Sequence, residues 1–385
     1  MSQLYLGDFF TNRQEAGQGG LPVMSVTMND SLVLRENLDR RTESTLRPDQ
    51  HLLVRKGDIA YNMMRMWQGA CGLAEADGIV SPAYVVLQPR PSIDSRFAYH
   101  WFKSSRMIHL FWAYSHGLTE DRLRLYFDSF AEIPACPPPL PKQQRIVSVL
   151  DAWDQAIEQT ERLIAAKWQR KGALVQKLFR NLPKQPLTNA ADVWFSGVDK
   201  KTRDGEAPVR LCNYMDVFHN SRITTKMDFM RATASSSQIA NNSLRKHDIV
   251  FTKDSETSEE IAEPALIAED IENLVCGYHL AIARPREGIG YGPFIAQAMR
   301  HPSIRWQFSR LANGVVRFGL TLDAIEQAEI FLPAFEIQQR IAGVLDAEDL
   351  MIEDLTRRVE VLRAQKRGLM QKLFSNDSRL GGNFE

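Results

Sequence analysis

The sequence predicts an α+β fold in which two globular domains alternate with two long helices. The segment from Gln143 to Phe179 recurs 195 positions later, from Gln338 to Phe374, without a gap and with about half of its positions identical. Both copies carry apolar residues at alternating steps of three and four, which is the heptad pattern of long packed helices. The regions ahead of them hold short β-rich runs between polar loops, which favours mixed globules.

The repeat sets the domain boundaries. We expect a first globular domain at 1–135, a central long helix at 136–182, a second globular domain at 183–331, and a C-terminal long helix with a tail at 332–385. β-rich runs in the globular parts include Ile59–Asn62 and Ile249–Thr252, and a helical region from Phe97 to Tyr114 has a counterpart from Phe294 to Ala312. One unit of about 190 residues is therefore written twice.

The predicted helix seams follow the heptad rhythm in both copies. The apolar seam positions are Ile146, Leu150, Trp153, Ile157, Ile164, Leu174 and Leu178 in the first helix, and Ile341, Leu345, Ile352, Leu355, Val359, Leu362, Leu369 and Leu373 in the second. Lys171 and Lys366 occupy the same seam position. Each lysine either fixes the register of the helices or extends its charged end past the edge of the seam.

The helices also carry apolar side chains beside the seam, among them Trp168 and Val175. Two interpretations stay open at this point. The helices bury their seams against each other and only brace the fold, or they also offer this lateral surface to a partner protein.

Composition narrows the possible classes. The 385 residues include 47 Lys+Arg and 47 Asp+Glu, and no stretch approaches the roughly 18 apolar residues of a membrane helix. The four cysteines are widely spaced and contain no CxxC pair, so we expect buried thiols in a reducing cytoplasm rather than disulfides or zinc. The zero net charge argues against a generic basic nucleic-acid coat.

Catalytic and cofactor motifs are missing from the sequence. There is no GxxxxGK[ST] phosphate loop, no HExxH, no clustered His/Cys set and no Asn-Pro-Pro-aromatic tetrapeptide. The glycine-rich run from Gly288 to Gly292 does not follow a clear strand into a helix in this pattern, so a tight turn is expected there. No metal site is predicted.

The duplicated proline-bearing lead-in, the QQRI sequence and the long helix ending in QKLF resemble the specificity subunit of type I restriction-modification systems. The resemblance covers essentially the whole chain. The first globular domain is also similar to one class of target-recognition domain, through Gly57–Asn62, Met64-Arg65, Trp67–Gly69 and Gly78–Tyr84. The second globular domain matches mainly in layout.

This resemblance implies a non-catalytic DNA-binding subunit in a prokaryotic cytoplasm. Each target-recognition domain would read one half of a bipartite double-stranded target, and the helices would pack as an antiparallel coiled coil that sets the spacer. Two methyltransferase subunits carrying S-adenosylmethionine would dock on the helices, and two ATP-dependent motor-nuclease subunits would join them. No cofactor would bind this chain itself.

Candidate DNA contacts follow from the chemistry of base edges, where Arg or Lys pairs with guanine and Asn or Gln with adenine. The candidates are Asn62, Arg65, Gln68, His116, Thr119 and Arg122 in the first domain, and Lys253, Ser255, Asn313, Arg317 and Thr321 in the second. Phosphate-contact candidates are Arg55, Lys56, Arg245 and Lys246. The alternative is that Trp67 packs in the core and these polar neighbours only make loop hydrogen bonds.

Two other classes of function compete with DNA reading. One is an unrecognised standalone methyltransferase or nuclease, and the other is a coiled-coil scaffold or regulator with the same fold. Under the leading hypothesis, neither globular domain has a basic excess, so the chain should bind DNA weakly alone. Partner subunits would then supply much of the phosphate neutralisation.

Overall fold

The chain forms two compact units in the computed structural model, which describes residues 3–28, 31–38, 46–119 and 122–375. Unit 1 combines Met1–Glu161 with Arg357–Glu385, and unit 2 is the continuous segment Arg162–Thr356. Each long helix is therefore divided between the two units.

The described residues of unit 1 form eight short strands, three short helices and the first part of the first long helix. The strands are β1 (Phe10–Asn12), β2 (Met24–Val26), β3 (Leu32–Leu34), β4 (Leu52–Val54), β5 (Ile59–Asn62), β6 (Cys71–Leu73), β7 (Gly78–Val80) and β8 (Tyr84–Pro89). The helices are α1 (Ser95–Phe102), α2 (Ser105–Ala113), α3 (Phe127–Ala131) and α4 (Leu140–Leu178).

An antiparallel sheet in the order β1-β8-β5-β6 is the centre of unit 1, with the pairs β2-β3 and β4-β7 beside it. Its main core contains aromatic residues of the globular part, Leu150 from α4, and Phe374 from the C-terminal end of the chain. The ring of Phe374 packs edge-on at 5.8 Å from that of Phe97. Full burial of such a side chain contributes about 1.5–3 kcal/mol to folding stability. The phenylalanine of the second QKLF sequence therefore stabilises the core of unit 1.

Unit 2 contains more strands and ends within the second long helix. The strands are β9 (Lys184–Pro186), β10 (Ala191–Phe195), β11 (Ala207–Cys212), β12 (Arg222–Ile223), β13 (Met230–Ala234), β14 (Ile249–Thr252), β15 (Asp254–Ser255), β16 (Pro264–Ile267), β17 (Leu274–Cys276), β18 (Leu280–Pro285), β19 (Phe318–Gly319) and β20 (Glu329–Phe331). The helices are α5 (Leu187–Ala190), α6 (Tyr214–His219), α7 (Ser236–Asn242), α8 (Gly292–Met299), α9 (Pro302–Leu311), α10 (Leu322–Gln327) and α11 (Phe335–Ser375).

The central sheet of unit 2 repeats the order found in unit 1. It runs β10-β18-β14-β16-β12, so β10, β18, β14 and β16 correspond to β1, β8, β5 and β6. Phe179, at the end of α4, packs in this core at 5.4 Å from Phe294, as Phe374 packs on Phe97 in unit 1. The internal repeat predicted from sequence is confirmed in both topology and packing.

The first glutamine of each QQRI sequence joins the start of a long helix to the globular part of its unit. Gln143 is 1% exposed, accepts from the backbone N–H of Asp94 at 2.8 Å and donates to the carbonyl of Pro138 at 2.7 Å. Gln338 is fully buried and makes the matching bonds in unit 2, to Tyr291 at 2.9 Å and Pro333 at 2.8 Å. Buried amides need such partners, which explains why the motif is repeated.

The long helices run antiparallel within each unit, as expected. In unit 1, Asp154 of α4 pairs with Lys366 of α11, and Glu161 pairs with Arg363 at 2.6 Å. Residue numbers therefore rise along α4 while those of their partners fall along α11. In unit 2, Lys171 of α4 pairs with Asp349 of α11. All of the predicted seam positions are buried or half-buried.

Two sequence expectations about helices and cysteines differ from the structure. Each helical region that follows a central sheet is two helices instead of one, because Ser104 caps the start of α2 and Pro302 opens α9. Cys136 is exposed, whereas the other three thiols are buried. Burial raises the pKa of the Cys71 thiol to about 11.

Among the described residues, no helix combines the length and the apolar character that crossing a bilayer requires.

Candidate nucleic-acid interface

The two polar segments predicted in the first globular domain lie side by side in unit 1. The first segment, residues 62–69, continues directly from β5 and includes the short 3-10 helix Met66–Gln68. The second is a loop closed by two backbone hydrogen bonds between His116 and Arg124, both 2.9 Å. The N–H of Leu125 donates to the carbonyl of Met63 at 2.9 Å, which fastens one segment to the other.

The side chains of the first segment divide between support and exposure. Asn62 is half-buried, and its Oδ1 accepts from the N–H of Met64 at 3.0 Å. Trp67 donates from Nε1 to the carbonyl of Met64 at 3.0 Å, so both residues brace the turn. Arg65 and Gln68 are exposed, as are His116, Thr119 and Arg122 of the second loop.

Unit 2 brings its two predicted segments together through a small ladder. Strand β15 pairs with β19 in the register Asp254 to Gly319 and Ser255 to Phe318. The N–H of Leu320 also donates to the carbonyl of Lys253 at 2.8 Å. The loop that begins at Asn313 is closed by two 2.9 Å backbone bonds between Asn313 and Gly319, as in unit 1.

Three candidates of unit 2 have structural partners that sequence reasoning did not foresee. Ser255 is only 3% exposed and donates to the carbonyl of Thr257, so this conformation does not present it to DNA. The hydroxyl of Thr321 caps α10 by accepting from the N–H of Ala324 at 3.1 Å. The ammonium of Lys253 lies 4.3 Å from the ring centre of Tyr278. Asn313 and Arg317 are exposed.

The phosphate-contact candidates lie at the opposite ends of β5 and β14 from these segments. Asp58 caps the turn of Arg55 and Lys56 by accepting from the N–H of Arg55 at 2.9 Å, and Asp248 does the same for Arg245 and Lys246. A strand of four residues separates each turn from the polar segments, a span of roughly 13 Å. The lysine–arginine turns are therefore not part of the same cluster.

Negative charge surrounds the polar segment of unit 2. Burial raises the pKa of Tyr214, and nearby carboxylates raise it further, while Arg317 opposes them. Those carboxylates belong to Glu260, Asp254 and Glu256. DNA approaching this segment would meet a mixed field, so phosphate attraction from this unit alone is small.

Sequence reasoning missed the apolar tips of the two closed loops. Leu118 is 96% exposed, Val315 93% and Val316 88%. Each tip directly follows a glycine, Gly117 or Gly314, in a loop that is otherwise mostly polar. An apolar residue after such a glycine was the signal that could have identified them.

Cofactor sites are poorly supported by the described residues. His100, Asp151 and Asp154 are close enough to share a metal ion, but Arg96 bonds Asp151 at 2.9 Å and Lys366 pairs with Asp154. These cations already neutralise the carboxylates. Burial and then Lys366 lower the pKa of His100 to about 4, so the ring is neutral near pH 7.

The glycine-rich run does connect a strand, β18, to a helix, α8, contrary to the sequence expectation. Two of its three glycines, Gly290 and Gly292, nevertheless pack against the chain's own backbone. A Cβ on Gly290 would lie 2.1 Å from the carbonyl oxygen of Ala190, and one on Gly292 2.1 Å from that of His247. The run is a tight turn without room for a phosphate group.

The lateral surface of the helices lines a cleft in unit 2. Trp168 is 54% exposed and, with Val175, borders a cleft of about 810 Å³ that also touches Gln297 and Arg300. Unit 1 has a cleft of about 840 Å³ at the corresponding place, where Arg363 stands in the repeat position of Trp168. The two surfaces therefore differ in polarity.

Comparison with known proteins shows what the chain is similar to. Residues 8–166, less than half of the chain, match the family model described as Type I restriction modification DNA specificity domain. This part of the chain is therefore similar to a DNA specificity domain of that kind. No curated protein sequence matches the chain.

Two solved structures share the fold over nearly the whole chain. One is the S subunit of a type I restriction-modification system from M. genitalium, with a TM-score of 0.58, 15% identity, and coverage of 97% of this chain and 96% of that one. The other is a chain from a structure described as the basis of complex assembly and conformational transition of the type I R-M system, with a TM-score of 0.57, 16% identity and coverage of 97% and 96%. The predicted resemblance is confirmed, for the whole chain at the level of fold.

Proposed function

We propose that this chain is the DNA-reading subunit of a type I restriction-modification complex and that each unit reads one half of a bipartite target. The observation that carries the proposal is the duplicated pair of polar segments, which occupies the same place after β5 in unit 1 and after β14 in unit 2. Two equivalent reading surfaces in one chain suit a target with two specified halves.

Within unit 1, Arg65 and Gln68 are the best candidates for base contacts. Both side chains are exposed on a turn that Asn62 and Trp67 brace, so their positions are held before DNA arrives. Arg65 would pair with guanine and Gln68 with adenine in the major groove. His116, Thr119 and Arg122 would contact the same half from the adjoining loop.

Within unit 2, Arg317 and Asn313 are the best candidates, and Lys253 acts from beside them. Thr321 and Ser255 support the site, since their hydroxyls already serve the local structure. Arg55, Lys56, Arg245 and Lys246 would meet phosphates at a distance from the bases. These contacts position DNA without specifying its sequence.

The antiparallel helices would set the spacer between the two halves, and their lateral surfaces would dock two methyltransferase subunits. Trp168 and Val175 line the docking cleft of unit 2. The methyltransferases would carry S-adenosylmethionine, and two motor-nuclease subunits would use ATP. The similarity to a chain from a type I assembly supports this arrangement.

Trp168→Asp should reduce co-purification of the methyltransferase more than it reduces thermal stability.

Methylome sequencing of a host with and without this gene tests the proposal. We expect one bipartite motif to lose methylation when the gene is removed, which would give both halves and the spacer together. Reintroducing an Arg65→Ala chain should relax the motif in one half only. Arg47→Ala is the matched control, because the Arg47 side chain is 74% exposed in the same unit but lies outside both polar segments.

Three results would contradict the proposal in whole or in part. An unchanged methylome after removal of the gene would exclude a role in modification. Equal loss of methylation at both halves with Arg65→Ala would reassign that arginine to the DNA backbone. A purified chain that methylates or cleaves DNA on its own would favour an enzyme.

A further inference from the structure

The largest exposures of apolar side chains in the described residues occur at two equivalent places. Leu118 in unit 1, and Val315 with Val316 in unit 2, are 96%, 93% and 88% exposed, whereas the next is Trp306 at 62%. Single exposed apolar residues are ordinary on a protein surface. Near-complete exposure at the same point of two repeats, beside two candidate reading surfaces, indicates a shared ligand.

Backbone hydrogen bonds close the base of the loop that carries each tip. Each loop is closed by a reciprocal pair of 2.9 Å backbone hydrogen bonds. Gly314 has φ +147°, and a Cβ there would lie 1.9 Å from the carbonyl oxygen of Arg317. A Cβ on Gly117 would lie 2.6 Å from the carbonyl oxygen of Arg122. Both glycines are therefore required by tight turns that present the next side chain outward.

The small size of the tips fits a narrow slot in DNA and not a protein surface. A stable protein interface buries roughly 800 Å² on each partner, far more than two valine side chains can supply. Arg317 follows the valines, and residues 313–321 contain no acidic side chain, whereas Glu120 and Asp121 come between Leu118 and Arg122. In both loops the apolar tip matches the faces of stacked bases, and the arginine that follows it can reach a base edge in the same half.

We propose that Val315–Val316 and Leu118 are wedges that insert between neighbouring base pairs, one in each half of the target. This proposal rests on the proposed DNA-reading function. The side chains that would read bases differ between the units, because each half has its own sequence. The tips keep the same chemistry, because the apolar faces of stacked bases are common to every sequence. The wedges open a base step and bend the duplex without choosing its bases.

The test uses the full-length chain with its methyltransferase and a duplex that carries the target found by methylome sequencing. 2-Aminopurine, whose fluorescence rises on unstacking, is placed at successive steps of each half, away from the methylated base. The wild-type complex should raise fluorescence several-fold at one step in each half. The Val315→Ser, Val316→Ser double variant should lose the signal in one half only, with roughly tenfold weaker binding and unchanged sequence preference.

Matched variants separate the possible outcomes. Leu118→Ser should remove the signal in the other half, and Ile289→Ser, an exposed aliphatic residue elsewhere in unit 2, should change nothing. Wild-type fluorescence and affinity in the double variant would overturn the wedge. Loss of methyltransferase binding with the unstacking signal intact would make the tips protein contacts and overturn it as well. Failure of the wild-type complex to prefer its target would instead contradict the proposed function.

Discussion

At the scale of residues, the most informative side chains are the paired glutamines of each QQRI sequence. The first glutamine is buried in both copies, and the second is exposed. Gln338 bonds the backbone at Ile289, Tyr291 and Pro333, so its amide closes the start of α11 onto the loop before α8. The first glutamine of the motif is therefore explained by local hydrogen bonding.

Gln338→Ala should lower the free energy of unfolding by about 1–3 kcal/mol, because it leaves buried backbone groups without partners. Gln339→Ala, the adjacent exposed position, should change it by less than about 0.5 kcal/mol. Urea unfolding of both variants measures the difference. Equal effects of the two substitutions would show that the buried amide bonds do not stabilise the junction.

His100 makes the stability of unit 1 depend on pH. Burial lowers the pKa of its ring to about 4, whereas an unfolded histidine has a pKa near 6.5. The folded ring stays neutral while the unfolded one binds a proton, so its contribution to stability is full above about pH 6.5 and is lost as the pH falls towards 4. The loss should approach about 3 kcal/mol.

Replacing His100 by glutamine should flatten this dependence between pH 7 and pH 4.5. Unit 2 has a glutamine, Gln297, which donates to Asp349 at 2.7 Å much as His100 approaches Asp154 at 3.9 Å. Urea unfolding across the pH range measures the slope for wild type and variant. The exposed His109→Gln is the control and should keep the wild-type slope. An unaltered slope in His100→Gln would locate the acid sensitivity elsewhere.

At the scale of elements, the repeated lysines of the helix seam fix the register of α4 against α11. Lys171 and Asp349 bury their side chains to 11% exposure each, and Lys366 and Asp154 to 16% and 48%. The two ion pairs are equivalent in the repeat, because Lys366 lies 195 residues after Lys171 and Asp349 lies 195 residues after Asp154. The sequence left open whether each lysine fixes the register of the helices or extends its charged end into solvent. The ion pairs favour a role in register.

Lys171→Met should cost about 3–5 kcal/mol of unfolding free energy, because it leaves the buried carboxylate of Asp349 without its cation. Lys366→Met should cost about 1 kcal/mol or less, since Asp154 remains half in water. Adding Asp349→Leu to the first variant should restore most of the loss. Denaturant unfolding measures all three, and equal costs at the two lysines would contradict the difference in burial.

The elements also show where sequence patterns succeed and where they fail. Strands β5 and β14 and the two long helices follow from runs and heptads, because these signals are local. The break between α1 and α2 is hidden, since apolar spacing continues across Ser104. The burial of Ser255 depends on pairing β15 with β19, about sixty residues away in the chain, and no local pattern reports that contact. The exposure of Leu118 and Val315 likewise depends on how their loops close.

At the scale of the whole molecule, the zero net charge agrees with a reader that depends on partners. Acidic side chains surround the polar segment of unit 2, and the long helices combine both signs in ion pairs. Binding of the isolated chain to DNA should therefore be weak and should strengthen when a methyltransferase contributes basic surface.

Lengthening both long helices should change the spacer of the target. Seven residues inserted after Glu161 and seven after Thr356 preserve the heptad and keep each ion pair inside its unit. The added rise of about 10.5 Å corresponds to about three base pairs, so methylome sequencing should return a spacer longer by up to that amount. Insertion into one helix alone should disturb the register and reduce methylation. An unchanged spacer after the double insertion would remove the helices as its determinant.

The division of each helix between units has a consequence for synthesis. Unit 2 is one continuous stretch, Arg162–Thr356, but unit 1 needs Arg357 onward to complete its core around Phe374. As the ribosome makes the chain from its amino end, the unit translated first is the last that can close. A transcript cut short before Phe374 yields a protein with an intact second unit and an open first one. The last turn of α11 therefore completes the core of unit 1 only after all of unit 2 has been made.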